Sequence, residues 1–328
     1  MNFTFIDLFA GIGGFRIALE RLGGTCVFSC EIEKGARQVY YENFKEVPFK
    51  DIREVDEKKL PDFDILCAGF PCQPFSISGL RKGFLDKKNG DLYFHILRII
   101  NAKKPKVVFL ENVKHFARHN KGKTFQTAIR LLEEQGYIVF SKILNSKFFG
   151  LAQSRERLFI VAFRKDCENA HTFSFPSPSK YPIVVVEDIL DDNPPEHLFY
   201  QGDDIKILKP DILHRIHAPY QIAYVKKGRQ GERIYSTKGT SITISHSTGG
   251  TFPKTGAYWT KEGIRRLSVS ECKRLFGFPE SFNLSAVRES KALALLGNSV
   301  AVNVVEAIGR NILNTLNDVK KQTLLEIA

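Results

Sequence analysis

The chain has 328 residues, of which 43% are apolar, including 27 phenylalanines, so it can fill a sizeable core and is not expected to be disordered. Its formal net charge of +12 favours a polyanionic partner such as nucleic acid, although charge alone fits a merely soluble basic protein as well. The sequence shows no long apolar run and no basic-then-apolar start, which argues against a membrane span and a secretory signal; six cysteines without a Cys-x-x-Cys pair favour free thiols over disulfides or zinc.

The first predicted elements are a strand at residues 3–6, a glycine-rich turn at 7–14 and a helix at 15–22. This order is typical of a nucleotide-type site, because glycines let the backbone approach a ligand closely. The turn is not a Gly-x-Gly-x-x-Gly sequence, so an ordinary tight turn is an equal alternative. The next strand, at 25–30, ends at Glu31, where a carboxylate can bind ribose hydroxyls or simply favour a helix start.

A cysteine follows the next buried strand, which is predicted at residues 63–68. Gly69 and Pro71 end this strand sharply, so Cys72 is expected in a loop at the carboxyl end of a central strand, where open α/β sheets place their ligands. We interpret Cys72 as a nucleophile, although a lone cysteine is more often a small buried hydrophobe. The following segment, 77–90, carries glycines and cations and is interpreted as a lid over phosphates or as a solvated surface loop.

Two further strands deliver charged residues. The strand at 107–110 ends at Glu111, and this carboxylate needs a partner, because buried strands rarely end in an unpaired charge. If burial keeps Glu111 protonated, it can donate a hydrogen bond to a pyrimidine ring nitrogen. Arg155 and Arg157 precede the strand at 158–163, and their spacing puts them on the same side of an extended segment, as an anion clamp or a salt-bridged edge.

The second half of the chain has a different composition. Prolines between residues 174 and 196 break the periodicity and indicate passage into a second domain. Basic, glycine-rich loops follow between 226 and 250, with an alternating stretch at 240–245; they suit a surface that enters DNA grooves, or are the exposed cations of a β-rich subdomain. Ser268 is a candidate helix cap, and a terminal helix follows Gly297-Asn298-Ser299-Val300.

Six blocks, in this order, resemble the motifs of the DNA (cytosine-5)-methyltransferase family. They are the glycine turn at 7–14, Pro71-Cys72-Gln73, Glu111-Asn112-Val113, Gln153-x-Arg155-x-Arg157, the helix with Glu271-Cys272, and Gly297-Asn298-Ser299-Val300. The match covers nearly the whole chain, and the compact length resembles the bacterial restriction-modification enzymes. The segment 230–243 is most similar to that of the GCGC-specific enzymes, but Ser247 and Thr248 stand where those have a tyrosine and a glycine, so a contact made by that tyrosine would be lost.

The resemblance implies an α/β fold of the Rossmann-like, S-adenosylmethionine-dependent methyltransferase type. This fold is a mostly parallel sheet with helices on both faces, and a smaller, β-rich target-recognition domain accompanies it. The implied limits are 1–184 for the catalytic and cofactor-binding domain, 185–269 for the target-recognition domain, 270–296 for a hinge and 297–328 for a C-terminal segment that returns to the catalytic domain. The implied cofactor is S-adenosyl-L-methionine, with S-adenosyl-L-homocysteine as product and no metal.

The family's activity is methyl transfer to the 5-carbon of a flipped-out cytosine in a short duplex DNA site, for which GCGC is the expected sequence, through a covalent adduct that Cys72 would form. Glu111 would contact the ring nitrogen at position 3, Arg157 the carbonyl oxygen at position 2, and Arg155 would support this anionic side. Gln230 would fill the space left by the base, and Ser78 would reach in from the lid.

The resemblance also implies two sets of binding residues. The cofactor-binding set is Asp7, Phe9, Gly11, Ile12, Gly13, Gly14, Glu31, Ile32, Asp51, Ile52, Phe70, Pro71, Leu92, Asn298 and Val300. The DNA-binding set is Ser76, Ser78, Gln230, Arg233, Thr243, Gly249 and Gly250.

The implied partner is double-stranded DNA, with a separate cognate restriction endonuclease as a further candidate. We expect a monomer in the cytoplasm, associated with the nucleoid and not with a membrane. Two alternatives stay open: a tRNA cytosine-5 methyltransferase and a catalytically inactive DNA-binding regulator. The segment 230–250 argues against the first, and the intact set of Cys72, Glu111 and Arg157 argues against the second.

Overall fold

The computed structural model describes residues 2–71, 92–178, 181–210, 214–246 and 249–326, with side chains up to Asn317 in the last helix. The chain divides into two compact units, each described by itself. Unit 1 comprises Met1–Leu144, Glu156–Pro176 and Val305–Ala328, and unit 2 comprises Asn145–Arg155 and Ser177–Val304. The domain limits expected at 184, 269 and 296 do not coincide with the limits of these two units. As limits of functional domains, they stay a prediction.

Unit 1 is built on a sheet that has six strands in the described part of the chain. They are β1 (Phe3–Leu8), β2 (Gly24–Cys30), β3 (Ile65–Gly69), β4 (Val107–Val113), β5 (Tyr137–Asn145) and β6 (Glu156–Arg164). Their order is β2-β1-β3-β4-β6-β5; β1 to β4 are parallel, and β6 runs antiparallel to β4. The expectation of a mostly parallel, Rossmann-like sheet is confirmed.

Helices cover both faces of this sheet. The helices of the described chain are α1 (Gly14–Glu20), α2 (Lys34–Phe44), α3 (Leu92–Lys103), α4 (Lys123–Glu134), α5 (Val269–Phe276), α6 (Glu289–Asn298) and α7 (Val302–Glu326). Of these, α5 and α6 belong to unit 2. On one face, Leu66 and Leu110 share a core with residues of α3 and α4. Phe109 alternates to the other face, where its ring meets that of Phe15 in α1 edge-on at 5.1 Å. Because both faces are covered, β1, β3 and β4 are near-continuous apolar runs.

Strand β5 was not expected from the sequence. Its residues alternate weakly, and most of them are half-buried or exposed, because β5 lies at the edge of the sheet. A strand with so little burial carries neither a continuous apolar run nor a clear period of two. The sheet therefore has an edge strand that hydrophobic pattern alone did not reveal.

Unit 2 contains a second sheet, which has five strands among the described residues. They are β7 (Lys206–Ile207), β8 (Gln221–Tyr224), β9 (Arg233–Ser236), β10 (Ala257–Trp259) and β11 (Ile264–Arg265), in the order β11-β10-β9-β8-β7. The alternating stretch at 240–245 belongs to none of these strands, and Ser241 makes only an isolated bridge to Gln153. The cap predicted at Ser268 is confirmed, since its hydroxyl accepts the N–H of Glu271 at 3.1 Å at the start of α5.

One helical stretch, Glu289–Asn317, is long and apolar enough to cross a membrane by length and composition, with a mean hydropathy of 1.5. The protein itself buries 83% of the window that passes this test. A buried core helix passes the same test, so the stretch is weak evidence for a membrane span.

Candidate active site

The carboxyl ends of β3 and β4 lie side by side. Gly69 is the register partner of Glu111, and the Asn112 side-chain amide donates to the Phe70 carbonyl at 2.9 Å. The Phe70 ring is itself buried in the core. Asn112 therefore fixes the point where the chain leaves the sheet towards Pro71. Cys72, Ser76 and Ser78 lie outside the described residues.

Glu111 and Arg157 form an ion pair at this sheet edge. Val113 is opposite Arg157 in the antiparallel β4–β6 ladder, which brings the Arg157 Nε within 3.1 Å of the Glu111 Oε1. Only 16% of the Arg157 side chain and 11% of the Glu111 side chain are exposed. Burial lowers the pKa of Arg157, and the neighbouring Glu111 opposes this effect. A guanidinium and a carboxyl group are thus held together in a nearly dry setting, where both can bind polar atoms of one ring.

Arg155 does not share the surroundings of Arg157. It precedes the first residue of β6, so the alternation of a strand does not apply to it. Its guanidinium is buried in unit 2, where it donates to the carbonyls of Ile244 at 3.2 Å, Gly297 at 2.9 Å and Ser299 at 2.7 Å. This geometry favours a positioning task over the anion clamp that the spacing predicted for both arginines.

Gln153 is a site residue to which the sequence interpretation gave no role. It is fully buried, its amide nitrogen donates to the Leu275 carbonyl at 3.0 Å, and its amide oxygen accepts the Ile244 N–H at 3.2 Å. Gln153 and Arg155 therefore join three separate stretches of unit 2 around Ile244. The signal for this was the Gln-x-Arg-x-Arg spacing, which was assigned to anion binding only.

The glycine turn follows β1 and has three residues in left-handed conformations. These are Phe9 with φ 55°, Gly11 with φ 56° and Gly13 with φ 87°. Phe9 is not a glycine, and such a backbone is costly for it, which is typical of functional sites. A Cβ on Gly11 would meet nothing within 4 Å, so open space adjoins the turn at this point. Gly14 is the buried first residue of α1.

Glu31 and Asp51 come together with the glycine turn at the ends of β1 and β2. The Glu31 carboxylate accepts the Gly11 N–H at 2.8 Å and the Glu33 N–H at 2.7 Å, and burial raises its pKa although these bonds oppose the rise. Phe49 bridges to Cys30 and brings Asp51 beside the end of β2. A hydrogen bond from Arg53 lowers the pKa of Asp51. Each Glu31 oxygen keeps a lone pair for another donor.

The remaining predicted cofactor residues differ in exposure. Ile32 is 56% exposed beside Glu31, whereas Ile12 and Ile52 are buried. Leu92, at the start of α3, is half-buried. In unit 2, Val300 is buried, and Asn298 is exposed with its side-chain nitrogen 3.2 Å from the His246 Nδ1.

Arg98 on α3 holds the segment that contains Ile52. Its guanidinium donates to the carbonyl of Ile52 at 2.5 Å and to that of Val55 at 2.8 Å, and it pairs with Glu57. The segment that carries the predicted cofactor-binding residues Asp51 and Ile52 is thereby tied to a helix of the core. No signal in the sequence interpretation pointed to Arg98.

Asp7 was predicted as the first residue of the glycine turn, but it lies in β1 and is fully buried. Neither carboxyl oxygen has a hydrogen-bond partner among the described residues. Burial raises the pKa of Asp7 from 3.8 to about 8, although the charge of Arg16 opposes the rise. Asp7 is therefore mostly protonated at neutral pH.

In unit 2, two glycine-containing loops meet backbone to backbone. A Cβ on Gly231 would lie 1.8 Å from the Gly249 carbonyl oxygen, and one on Gly250, whose φ is 101°, would lie 2.7 Å from the Gly231 oxygen. Only glycine fits at such an approach. Gln230 is exposed on one of these loops, and Arg233 is exposed at the start of β9, which follows it.

Thr243 is one of the predicted DNA-binding residues, and that role stays a prediction. Its hydroxyl donates to the Ser154 carbonyl at 2.6 Å, so its only proton is already engaged inside unit 2. Ser247 and Thr248, where the sequence departs from the GCGC-specific enzymes, lie outside the described residues. Among the residues that the structure describes, no group of three or more His, Cys, Asp or Glu side chains could hold a metal ion.

Comparison with known proteins identifies the family. The model of the C-5 cytosine-specific DNA methylases matches residues 3–314. The chain is 46% identical over 313 residues to the type II methyltransferase M.HhaI of Haemophilus parahaemolyticus, covering 95% of each chain. It is 40% identical over 336 residues to the type II methyltransferase M.HpaII of Haemophilus parainfluenzae, covering 97% of this chain and 91% of that one.

Among solved structures, the S. pombe Dnmt2 methyltransferase superposes with a TM-score of 0.70 at 18% identity, covering 97% of this chain and 99% of that one, which supports the fold. The family resemblance and the activity expected from the sequence are confirmed, and they are favoured over both alternatives. The chain therefore belongs to the C-5 cytosine-specific DNA methylase family and is a DNA (cytosine-5)-methyltransferase of the type II restriction-modification kind.

Proposed function

We propose that this enzyme methylates a cytosine in duplex GCGC sites through a covalent adduct with Cys72. The observation that carries the proposal is the buried Glu111–Arg157 pair, beside the point where β3 delivers Phe70 to the Pro71-Cys72 sequence. The specificity rests on the 46% identity to M.HhaI, which is GCGC-specific, and on the similarity of the segment 230–243.

Enzymes of this family use S-adenosylmethionine, which supplies an electrophilic methyl group on a sulfonium. The residues around the glycine turn fit such a group: Gly11 has open space beside it, and Glu31 retains lone pairs for ribose hydroxyls. Ile32 offers exposed apolar surface to an adenine ring. We assign Asp51 and Ile52 to the far edge of the adenine, and Phe9 to the apolar wall.

The chemistry of this chain's residues begins at a flipped cytosine. The Cys72 thiolate bonds to the 6-carbon, and the electron pair displaced from the 5,6 double bond makes the 5-carbon nucleophilic. As the base binds, Glu111 takes up a proton from water and donates it in a hydrogen bond to the ring nitrogen at position 3. Arg157 donates to the carbonyl oxygen at position 2, so both groups withdraw electrons as the thiolate adds. After the 5-carbon is methylated, its proton goes to a base, the double bond re-forms and Cys72 leaves as thiolate.

We assign positioning roles within unit 2 to Arg155 and Gln153. Their bonds hold Ile244, Gly297 and Ser299 within unit 2. Close by in sequence are Asn298 and Val300, which we assign to the cofactor site. We therefore propose that Arg155 supports the cofactor segment and does not touch the base.

Recognition is assigned to the paired loops of unit 2. Gln230 and Arg233 are exposed and carry side chains that can bond to bases, and the Gly231–Gly249–Gly250 contact fixes the loops against each other. We propose that Gln230 fills the space left by the flipped base. We also propose a monomer, located in the cytoplasm with the nucleoid, whose system includes a separate cognate endonuclease.

A covalent-trapping experiment tests the catalytic assignment. With S-adenosylmethionine present, a GCGC duplex that carries 5-fluorocytosine retains the adduct. Fluorine replaces the proton that must leave the 5-carbon, and it cannot be removed by a base. Wild type and Cys167→Ser, which changes a half-buried thiol in unit 1, should both be trapped. Cys72→Ser should bind the duplex but form no adduct and transfer no methyl group. Near-normal methylation by Cys72→Ser would refute the assignment.

Bisulfite sequencing of DNA from a host that expresses the chain tests the site. Methylation confined to one cytosine of GCGC is the expected result, and methylation of another sequence would overturn the specificity proposal. Parallel incorporation assays on duplex DNA and tRNA separate this function from tRNA methylation. A chain that binds DNA and yields no methyl transfer on either would be the inactive regulator.

A further inference from the structure

A run of positive charge follows the catalytic strand β4. Between Glu111 and Glu133 the sequence has no aspartate or glutamate, whereas it has lysine or arginine at 114, 118, 121, 123 and 130. Residues Lys114–Gly122 are of 3-10 type with a kink, because the backbone at His119, Asn120 and Lys121 is not helical, and Lys123 begins α4. We call Lys114–Gly122 together with Lys123 the basic turn.

Three cations of the basic turn face solvent. Arg118, Lys121 and Lys123 are exposed, and within the described ranges none of them lies within 4.0 Å of a carboxylate. Lys114 differs, because it pairs with Glu156 at 2.7 Å. Unpaired cations on one exposed turn repel one another, and a polyanion relieves that repulsion.

The basic turn is fixed to the candidate active site. Phe116, in its middle, is fully buried, and its ring packs edge-on against the Phe70 ring at 5.4 Å. The His119 Nδ1 lies 2.7 Å from the Thr124 hydroxyl and joins the turn to α4. Arg118 is therefore two residues from a side chain that touches Phe70, and Phe70 precedes the Pro71-Cys72 sequence.

We propose that the basic turn is a second DNA-binding surface, which holds backbone phosphates of the duplex outside the recognition site through Arg118, Lys121 and Lys123. A duplex whose flipped base reaches Glu111 continues beyond the recognised bases, and phosphate contacts on that flank add affinity without reading sequence. The proposal rests on duplex DNA as the substrate. Under this proposal, unit 1 contributes phosphate contacts to DNA affinity, in addition to the base contacts proposed for the recognition loops of unit 2.

The test compares the salt dependence of binding. Arg118→Ala, Lys121→Ala and Lys123→Ala are combined in one variant. The control variant combines Lys58→Ala, Lys59→Ala and Lys106→Ala, which remove three exposed cations elsewhere in unit 1; Lys106 directly precedes β4 at the end opposite Glu111. Dissociation constants are measured for a duplex that just spans the recognition site and for duplexes extended on either side.

Each phosphate contact contributes about 0.9 to the slope of log K against log salt, so the loss of three lowers the slope by roughly 2.7. Between about 50 and about 200 mM salt, the wild type should lose about 40-fold more affinity for the extended duplex than the basic-turn variant loses. The difference should arise for extension on one side only. The control should follow the wild type, and methyl transfer at saturating DNA should be retained by all three proteins.

Equal slopes for wild type and basic-turn variant would overturn the proposal, provided that both methylate DNA. A variant that keeps its DNA slope and instead loses binding to structured RNA would also overturn it. A wild type that methylates no duplex would refute the proposed function, which is a different result.

Discussion

Replacing Asp7 by asparagine tests whether an uncharged carboxyl group lies under the glycine turn. Asp7 is fully buried with both oxygens unpartnered among the described residues, and its pKa is raised to about 8 by burial. Asparagine has nearly the same shape and cannot ionise. The substitution therefore removes one titration and leaves the packing close to that of the wild type.

The expected magnitude follows from the shift in pKa. The Asp7 pKa is 3.8 in the unfolded chain and about 8 when folded, so the folded state binds the proton more tightly. Its contribution to stability is fully present below pH 3.8 and is lost as the pH rises towards 8. The loss is about 1.4 kcal/mol per pH unit, or roughly 4 kcal/mol by pH 7.

The assay is urea unfolding of wild type and Asp7→Asn between about pH 5 and about pH 7, with the infrared band of a protonated carboxylic acid as a second readout. The stability of the variant relative to the wild type should rise by about 1.4 kcal/mol per pH unit, and the band should be absent from the variant. Any constant effect of the new amide cancels in this slope. Asp64→Asn is the control. Burial raises the pKa of Asp64, but hydrogen bonds from Lys106 and Thr4 outweigh it and leave the pKa lowered. Asp64 is therefore ionised in both states over this pH range, and the stability of Asp64→Asn should change with pH as that of wild type does. Parallel curves for wild type and Asp7→Asn would refute the reasoning.

Arg155→Met removes the donors of three buried carbonyls and should lower the free energy of unfolding by about 3–5 kcal/mol in denaturant titrations. Where the variant is folded, methyl transfer at saturating S-adenosylmethionine should be nearly retained, because Arg155 does not touch the base. A large loss of rate without a loss of stability would instead assign Arg155 to the reaction. Gly231→Ala forces a methyl group into the Gly249 carbonyl, so the ratio of methylation at GCGC to that at other sites should fall; an unchanged ratio would contradict the loop pairing. Arg98→Ala frees the segment around Ile52 and should raise the calorimetric Kd for S-adenosylmethionine roughly 10–100-fold, as the loss of supporting contacts does in metal sites. Arg98→Lys should recover part of the affinity, and kcat at saturating cofactor should be unchanged. A Kd equal to that of wild type would remove Arg98 from the cofactor site.

The sequence predicted the parts of the fold that burial dictates. The strands β1, β3 and β4 are buried on both faces, and their apolar runs mark them without knowledge of their partners. The glycine turn and Ser268 were predictable too, because a left-handed backbone and a helix start need particular residue types. Such signals are local, so a single chain suffices to reveal them.

The rest of the site depends on long-range partners, which local pattern does not contain. Arg155 and Arg157 look equivalent in sequence, but β6 begins between them. The Arg155 side chain bonds to residues up to 144 positions away along the chain, whereas the Arg157 side chain pairs with Glu111 on the neighbouring strand. Likewise, Arg98 serves a segment more than 40 positions away. Thr243 was expected to bind DNA, and only the structure reveals that its hydroxyl donates a hydrogen bond to the Ser154 carbonyl.

Unit 1 is assembled from three stretches of chain, and the last of them begins at Val305. A Cβ on Gly309 of α7 would lie 3.0 Å from Leu19 and 2.9 Å from Leu22, so α7 covers apolar side chains that are synthesised before unit 2. The ribosome therefore completes all of unit 2 before the part of α7 that packs on Leu19 and Leu22 is synthesised. During that interval Leu19 and Leu22 lack the contact with α7, so aggregation of the nascent chain competes with folding.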